Sequence, residues 1–212
     1  MDGALNRVLQ GEDVNAAAEA VAKATEDPFK FWNQWFDCAA HHADAQDRLI
    51  ALVQALQKHD VGTIDDQKLW GDLPRLPWSM RESFQLYDNE AKPEQLINIS
   101  AMFAKCAHAH VANTLMFAVV LFRGVLEEEK EPKDLDARLQ ALIAWVDGAG
   151  KELYNDGKQH GGSSAIAKGG DLWKGAPGFS KERWVFWKER LQSMHTDTSQ
   201  KLLKAMEATE TA

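Results

Sequence analysis

From Leu115 to Phe122 the chain reads Leu-Met-Phe-Ala-Val-Val-Leu-Phe, a run with no polar side chain on any helical face. A helix made from it has no side to turn toward water, so other elements must cover it all round. The run closes a longer apolar stretch from Leu96 to Leu126, which predicts one buried central helix over about 94–127, opened by Pro93. Cys106, His108, His110, Asn113 and Thr114 precede the greasiest part and Arg123 follows it. Polar groups there are either satisfied within the core or line a site.

With 212 residues, a chain of this size buries roughly 70% of the surface its unfolded form exposes. Coverage for the central helix is therefore available within one domain. The eight tryptophans each bring about 150–250 Å² of surface to bury, and they are expected as wedges between helices. A formal net charge of −8 with no basic stripe argues against nucleic acid, which is held through clustered cations. The uncharged run Cys106–Phe122 is short for a bilayer and carries two His, an Asn and a Thr, so no membrane partner is expected. The first residues show no cationic-then-apolar leader, which predicts a cytosolic protein. Cys38 and Cys106 give neither a disulfide framework nor a zinc spacing and read as two mostly buried thiols.

Residues 1–12 are weakly patterned and read as an extension that orders only by docking. A single helical domain over 13–208 and a short tail, 209–212, follow. Asp13 or Asn15 opens a helix over Val14–Glu26, and Asp27-Pro28 breaks and restarts the chain. Phe29, Trp32 and Phe36, widened by Phe31 and Trp35, make a thick apolar stripe, and Leu49, Leu52, Val53 and Leu56 make a second, with a kink open near His41-His42. Between Leu69 and Trp78 two prolines and a glycine forbid a regular helix, yet Leu69, Trp70, Leu73 and Trp78 predict a loop pinned to the core. Ser79-Met80-Arg81-Glu82 reads as a capping box for a short helix to about Tyr87. Past the central helix, Glu127 to Glu131 read as a solvated, fraying end, since acids disfavour a helix C-terminus. Asp134 caps a helix whose face is Leu135, Leu139, Leu142, Ile143 and Val146, flanked by Trp145. The segment 157–179 is a Gly-rich loop with Trp173 as its anchor. Ser180 caps a last helix carrying Trp184, Trp187, Leu191 and Met194, fraying after Met206. No strand alternation appears, and the fold class is all-α, a single-domain bundle of about seven helices around 94–127.

Several chemistries find no support. Gly148-Ala149-Gly150 lacks the third glycine and preceding strand of a dinucleotide site, and Gly170–Gly175 is not followed by the Lys-Ser or Lys-Thr of a phosphate loop. There is no His-Glu-x-x-His and no Gly-x-Ser-x-Gly. Asp65-Asp66-Gln67-Lys68-Leu69 lacks the third acid of a metal-diphosphate motif. Neither a cofactor nor a metal is expected. Three constellations remain. Asp37, Cys38, His41, His42 and Asp44 offer metal-ligating atoms but no visible third partner for the Asp37–His41 pair. In the central helix His110, Asn113, Thr114 and Phe117 share a face, as core polars or as a pocket lining. Arg81, Glu82, Arg123, Glu127 and Arg183 lie beside apolar anchors and read as an ion network positioning helices, or as an anion site.

The segments Leu69-Trp70-Gly71-Asp72-Leu73-Pro74 with Arg81-Glu82, Phe122-Arg123 to Leu126-Glu127, Trp145 to Gly150 with Leu153-Tyr154, and Gly178 to Lys188 resemble a fungal family of helical proteins catalogued as a domain of unknown function. The series spans about residues 45–192. Its most specific part is Arg183-Trp184-Val185-Phe186-Trp187-Lys188 after the Gly-rich loop. The resemblance implies a helical fold and an accessory or secondary-metabolism setting, without a reaction.

Two functions fit these residues. In the favoured one a cofactor-free protein binds, and can transform, an apolar small molecule, with the Gly-rich segment as a lid. His110 is then the catalytic or hydrogen-bonding group, Asn113, Arg123 and Arg81 orient a polar end, and Trp70, Phe117, Trp184 and Trp187 form walls. In the other the protein is a non-enzymatic interaction module, with the Trp184–Met194 spacing as core or as the seam of a homodimer.

Overall fold

A computed structural model describes residues 2–24, 27–59, 61–89, 92–155 and 168–211. They form an all-α protein in two compact units that divide at Met102 and Phe103, inside a helix.

The first unit holds α1 (Asp2–Leu9), α2 (Val14–Ala24), α3 (Pro28–His41), a short 3-10 turn at Ala43–Ala45, α4 (Gln46–Leu56), α5 (Leu76–Asn89) and the start of α6 (Pro93–His108). Within residues 1–12, read as an extension that orders by docking, α1 is docked on this unit. The buried side chains of Leu5 and Val8 give α1 an inward face, and Arg48 on α4 donates to the carbonyls of Val8 and Glu12 just where the helix ends. Asp27 accepts from the Phe29 amide at 2.9 Å and Pro28 fills the first turn, so α3 starts where its sequence signals fall. Its five aromatics include Phe31, Trp32, Trp35 and Phe36, all buried. Trp70 joins them edge-on, 5.2 Å from Phe31 and 5.9 Å from Trp32, and the Trp32 indole donates to the Pro74 carbonyl. These contacts fasten the proline-rich loop to the core, as its apolar content predicts. The Gln46 amide donates to the carbonyls of Ala39 and Asn98, and Asn98 donates to Ala40, which fixes the break at His41-His42.

Three expectations fail in this unit. Trp78 is not buried but 59% exposed. Ser79 is no cap: α5 already begins at Leu76, and Ser79 sits buried inside it with its amide bonded to Arg75. A two-strand hairpin is also present, β1 (Thr63–Ile64) pairing antiparallel with β2 (Gln67–Lys68). Its turn residues Asp65 and Asp66 have φ of 50° and 61°, the left-handed pair that a tight two-residue hairpin requires.

The second unit takes the end of α6, then α7 (Leu115–Leu126), α8 (Leu135–Asn155), α9 (Lys181–Met194) and α10 (Asp197–Thr211). Helix α8 packs on α10 and α7, and α9 on α10 and α7. No residue of Leu115–Phe122 is exposed, as its uniform apolarity demands. A β-carbon on Gly148 would lie 2.7 Å from that of Ala104, so glycine there sets how closely α8 approaches α6. The expected last helix is two helices. His195 turns left-handed at φ 53°, and Thr196 and Ser199 then exchange amide-to-hydroxyl bonds to open α10. No helix among the described residues is long and apolar enough to cross a membrane.

The central helix is likewise broken. Instead of running from 94 to 127 it stops at His108 and resumes at Leu115. The Val111 amide reaches back to the Cys106 carbonyl and the His110 amide to Ala107, while His110 adopts φ 55°. This is the Schellman closure, in which the left-handed residue is usually glycine. Thr114 then turns its hydroxyl onto the Phe103 carbonyl at 2.6 Å, holding the two segments together.

Candidate functional site

The break at 109–114 opens a solvent-accessible cleft of about 720 Å³ in the second unit, within the range of small-molecule sites. Ala107, Val111, Ala112 and Leu115 supply its apolar lining, and His110, Asn113, Glu152 and Asn155 its polar groups. The backbone places them: His110 and Asn113 project because the chain leaves the helix there, and Glu152 and Asn155 come from the last turn of α8. His110 and Asn113 are exposed. Glu152 is held by His108, whose Nδ1 lies 2.6 Å from the carboxylate. The cleft thus offers an imidazole able to give or take a proton, one carboxylate acceptor, and two carboxamides that both donate and accept.

Of the candidate residues, His110 and Asn113 come together here. Thr114 is buried on Phe103, and Phe117 packs against the Phe103 ring at 5.1 Å instead of sharing a helical face with His110. Trp184 and Trp187 are fully buried and belong to the core of the second unit. Arg123 pairs with Glu128 at 3.3 Å. Trp70 is in the core of the first unit, and Arg81 is exposed on α5 in that unit. Glu152 and Asn155 were not singled out by the sequence; they sit at the end of a helix, α8, whose pattern reports only its buried face. Around Cys38, the His41 ring bonds the Asp37 carbonyl and Gln95, and among the described residues no three His, Cys, Asp or Glu side chains converge as metal ligands. Residues 157–167 of the Gly-rich segment lie outside the described residues.

A second cluster lies at the far end of α7. Glu127 is not solvated: its side chain and that of Arg183 are both at 0% exposure. One carboxylate oxygen accepts from Arg183 Nε at 2.6 Å and from the Trp187 indole at 2.7 Å; the other accepts from Arg183 Nη2 and from the Gly170 amide, each at 2.8 Å. The guanidinium also donates to the Gly178 carbonyl at 2.6 Å, and the Leu172 amide bonds the Glu127 carbonyl at 2.8 Å. A β-carbon on Gly170 would fall 2.7 Å from that carbonyl oxygen, so only glycine brings its amide to the carboxylate. Four donors on one carboxylate are what lets a buried charge persist. The cluster has no open face and acts as a structural clamp, tying residues 168–178 to α7 and α9.

Burial raises the Cys106 thiol well above the ordinary cysteine range, which suppresses the reactive thiolate, whereas Cys38 is only half-buried. Iodoacetamide is expected to alkylate Cys38 well ahead of Cys106 in the folded protein and both at similar rates in urea. Equal rates under native conditions, read by peptide mass spectrometry, would contradict this burial.

With six of the eight tryptophans buried in two compact units and a clamped glycine segment, the described residues define an all-α protein in which no three potential metal ligands converge. The chain belongs to the family described as Protein of unknown function (DUF3632), whose model matches residues 32–191. It is also similar to Oxopyrrolidines biosynthesis cluster protein G of Penicillium oxalicum (strain 114-2 / CGMCC 5302), with 26% identity over 181 residues, covering 70% of this chain and 49% of that protein. The chain thus spans about half the length of this relative. No solved structure matches it.

Proposed function

We propose that this protein binds a small organic molecule at the α6–α7 break, as a component of fungal secondary metabolism. One observation carries the reading: a histidine holds the left-handed position that normally goes to glycine, and its ring stands in a cleft with Asn113, Glu152 and Asn155. A left-handed side-chain-bearing residue is destabilising by roughly 1–2 kcal/mol, and such outliers cluster at ligand sites. His195 has a similar φ at the end of α9, so conformation alone does not single out His110. Convergence of the polar groups does.

The lining is half polar, so the ligand that fits is amphipathic, with an apolar body against Val111 and Leu115 and an edge that both donates and accepts hydrogen bonds. A lactam has such an edge: its N–H suits the Glu152 carboxylate, its carbonyl the Asn113 amide or the imidazole. The name of the Penicillium relative, which refers to oxopyrrolidines, supports the same class.

Titration with 2-pyrrolidinone, followed by amide NMR shifts, is expected to perturb residues 107–115 and 152–155. His110→Gly keeps the backbone angle and removes the ring, so it should weaken binding about tenfold, the worth of one good hydrogen bond, without lowering the melting temperature. Shifts mapping elsewhere, no shifts at all, or an unchanged affinity in His110→Gly would each overturn the reading.

A further inference from the structure

Among the described residues lining the cleft, Glu152 is the one carboxylate. Its place is set from outside the cleft. His108, the last residue of α6, is not part of the lining and its side chain is 70% exposed, yet its Nδ1 lies 2.6 Å from Glu152 Oε1. An ionised carboxylate only accepts, so the imidazole hydrogen sits on Nδ1. Four residues earlier in each helix Gly148 meets Ala104, where a β-carbon on the glycine would lie 2.7 Å from that of the alanine. The close approach brings His108 and Glu152 within reach of each other. Nothing else among the described residues bonds this carboxylate. Left to itself, a glutamate in the last turn of a helix would turn toward water, because it keeps its rotamer freedom there and the macrodipole disfavours an acid at that end. With one oxygen held by His108, the other stays available to a ligand in the cleft.

We infer that His108 is the positioning residue that gives the cleft its preference for a ligand with a ring N–H, a lactam over the lactone of the same size. The inference rests on the small-molecule reading above and names what selects the ligand. An N–H placed at the fixed carboxylate donates to it. A ring oxygen in the same place sets its lone pairs against a negative charge that cannot swing aside, and a site built for a donor discriminates against the analogue that lacks one. Without His108 the carboxylate is free to leave, and the two rings become alike to the cleft.

Titrations of the full chain with 2-pyrrolidinone and with γ-butyrolactone, each followed by amide NMR shifts, test this. The wild type is expected to bind the lactam about tenfold more tightly than the lactone. In His108→Ala the ratio should fall to within about threefold of unity, with the melting temperature unchanged because the ring is exposed. His108→Asn puts an amide N–H where Nδ1 stands and should restore the preference, which a merely structural role for the ring would not. Glu152→Ala should abolish the preference by itself, and adding His108→Ala should change nothing further. A wild type that binds both rings equally at residues 107–115 and 152–155 overturns the inference and leaves the small-molecule reading standing; a wild type that binds neither overturns both. A full preference in His108→Ala, or none in His108→Asn, also overturns the inference.

Discussion

Arg183→Met is expected to lower the unfolding free energy by about 3–5 kcal/mol, the loss typical when one partner of a buried ion pair is removed. The methionine replaces much of the guanidinium's volume, so the effect is not a cavity. It is the Glu127 carboxylate left at 0% exposure with only the Trp187 indole and the Gly170 backbone amide donating to it. Glu127→Gln should be no milder. All four bonds to that carboxylate come from N–H groups, two on each oxygen. A glutamine offers one oxygen and one NH₂, so whichever way it turns, an amide hydrogen faces two donors. Urea unfolding followed by tryptophan fluorescence gives the measurement: the midpoint should fall with the slope unchanged, and the melting temperature should drop by on the order of 10 °C. A loss below about 1 kcal/mol in both variants, the value of an exposed pair, would mean the pair is not desolvated.

Trp187 should rank next. Its ring stacks on Phe122 with centroids 4.3 Å apart and planes at 12°, and its indole donates to Glu127 at 2.7 Å. Trp187→Ala removes both and should destabilise by about 3–5 kcal/mol. Trp187→Phe retains a stacking ring but no donor, so its loss should be confined to a hydrogen bond to a charged group, about 1.5–3 kcal/mol. The gap between the two variants in thermal melts separates ring packing from the bond. Equal losses would show that the ring contributes nothing beyond its N–H.

Helix class and most helix starts were legible because their signals are local: Asp27-Pro28 for α3, Ser180 for α9, where its hydroxyl accepts the Arg183 amide at 3.1 Å. What escaped depends on backbone angles that residue type does not announce. His110 and His195 end helices in a conformation for which glycine is the usual signal, so periodicity carried the reader straight through both. Asp65-Asp66 turned a hairpin by the same means. The capping box at Ser79 failed because the signal for α5 begins three residues earlier, where Pro77 suits the first turn of a helix. Among the residues lining the cleft, His110 and Asn113 were legible as polar groups in an apolar run, but Glu152 was not, because only the fold brings the last turn of α8 to the α6–α7 break. Glu127 looked solvated within an acidic run; its partner lies 56 positions away, a separation no local pattern encodes.

That separation also sets when the clamp can form during folding. Neither charge gains by leaving water until the other, the Gly170 amide and the Trp187 indole are in place together, and bringing them together closes a long loop. The clamp therefore belongs to the final stage of folding, and its main effect falls on the escape from the native state. It makes the protein slow to come apart more than quick to assemble.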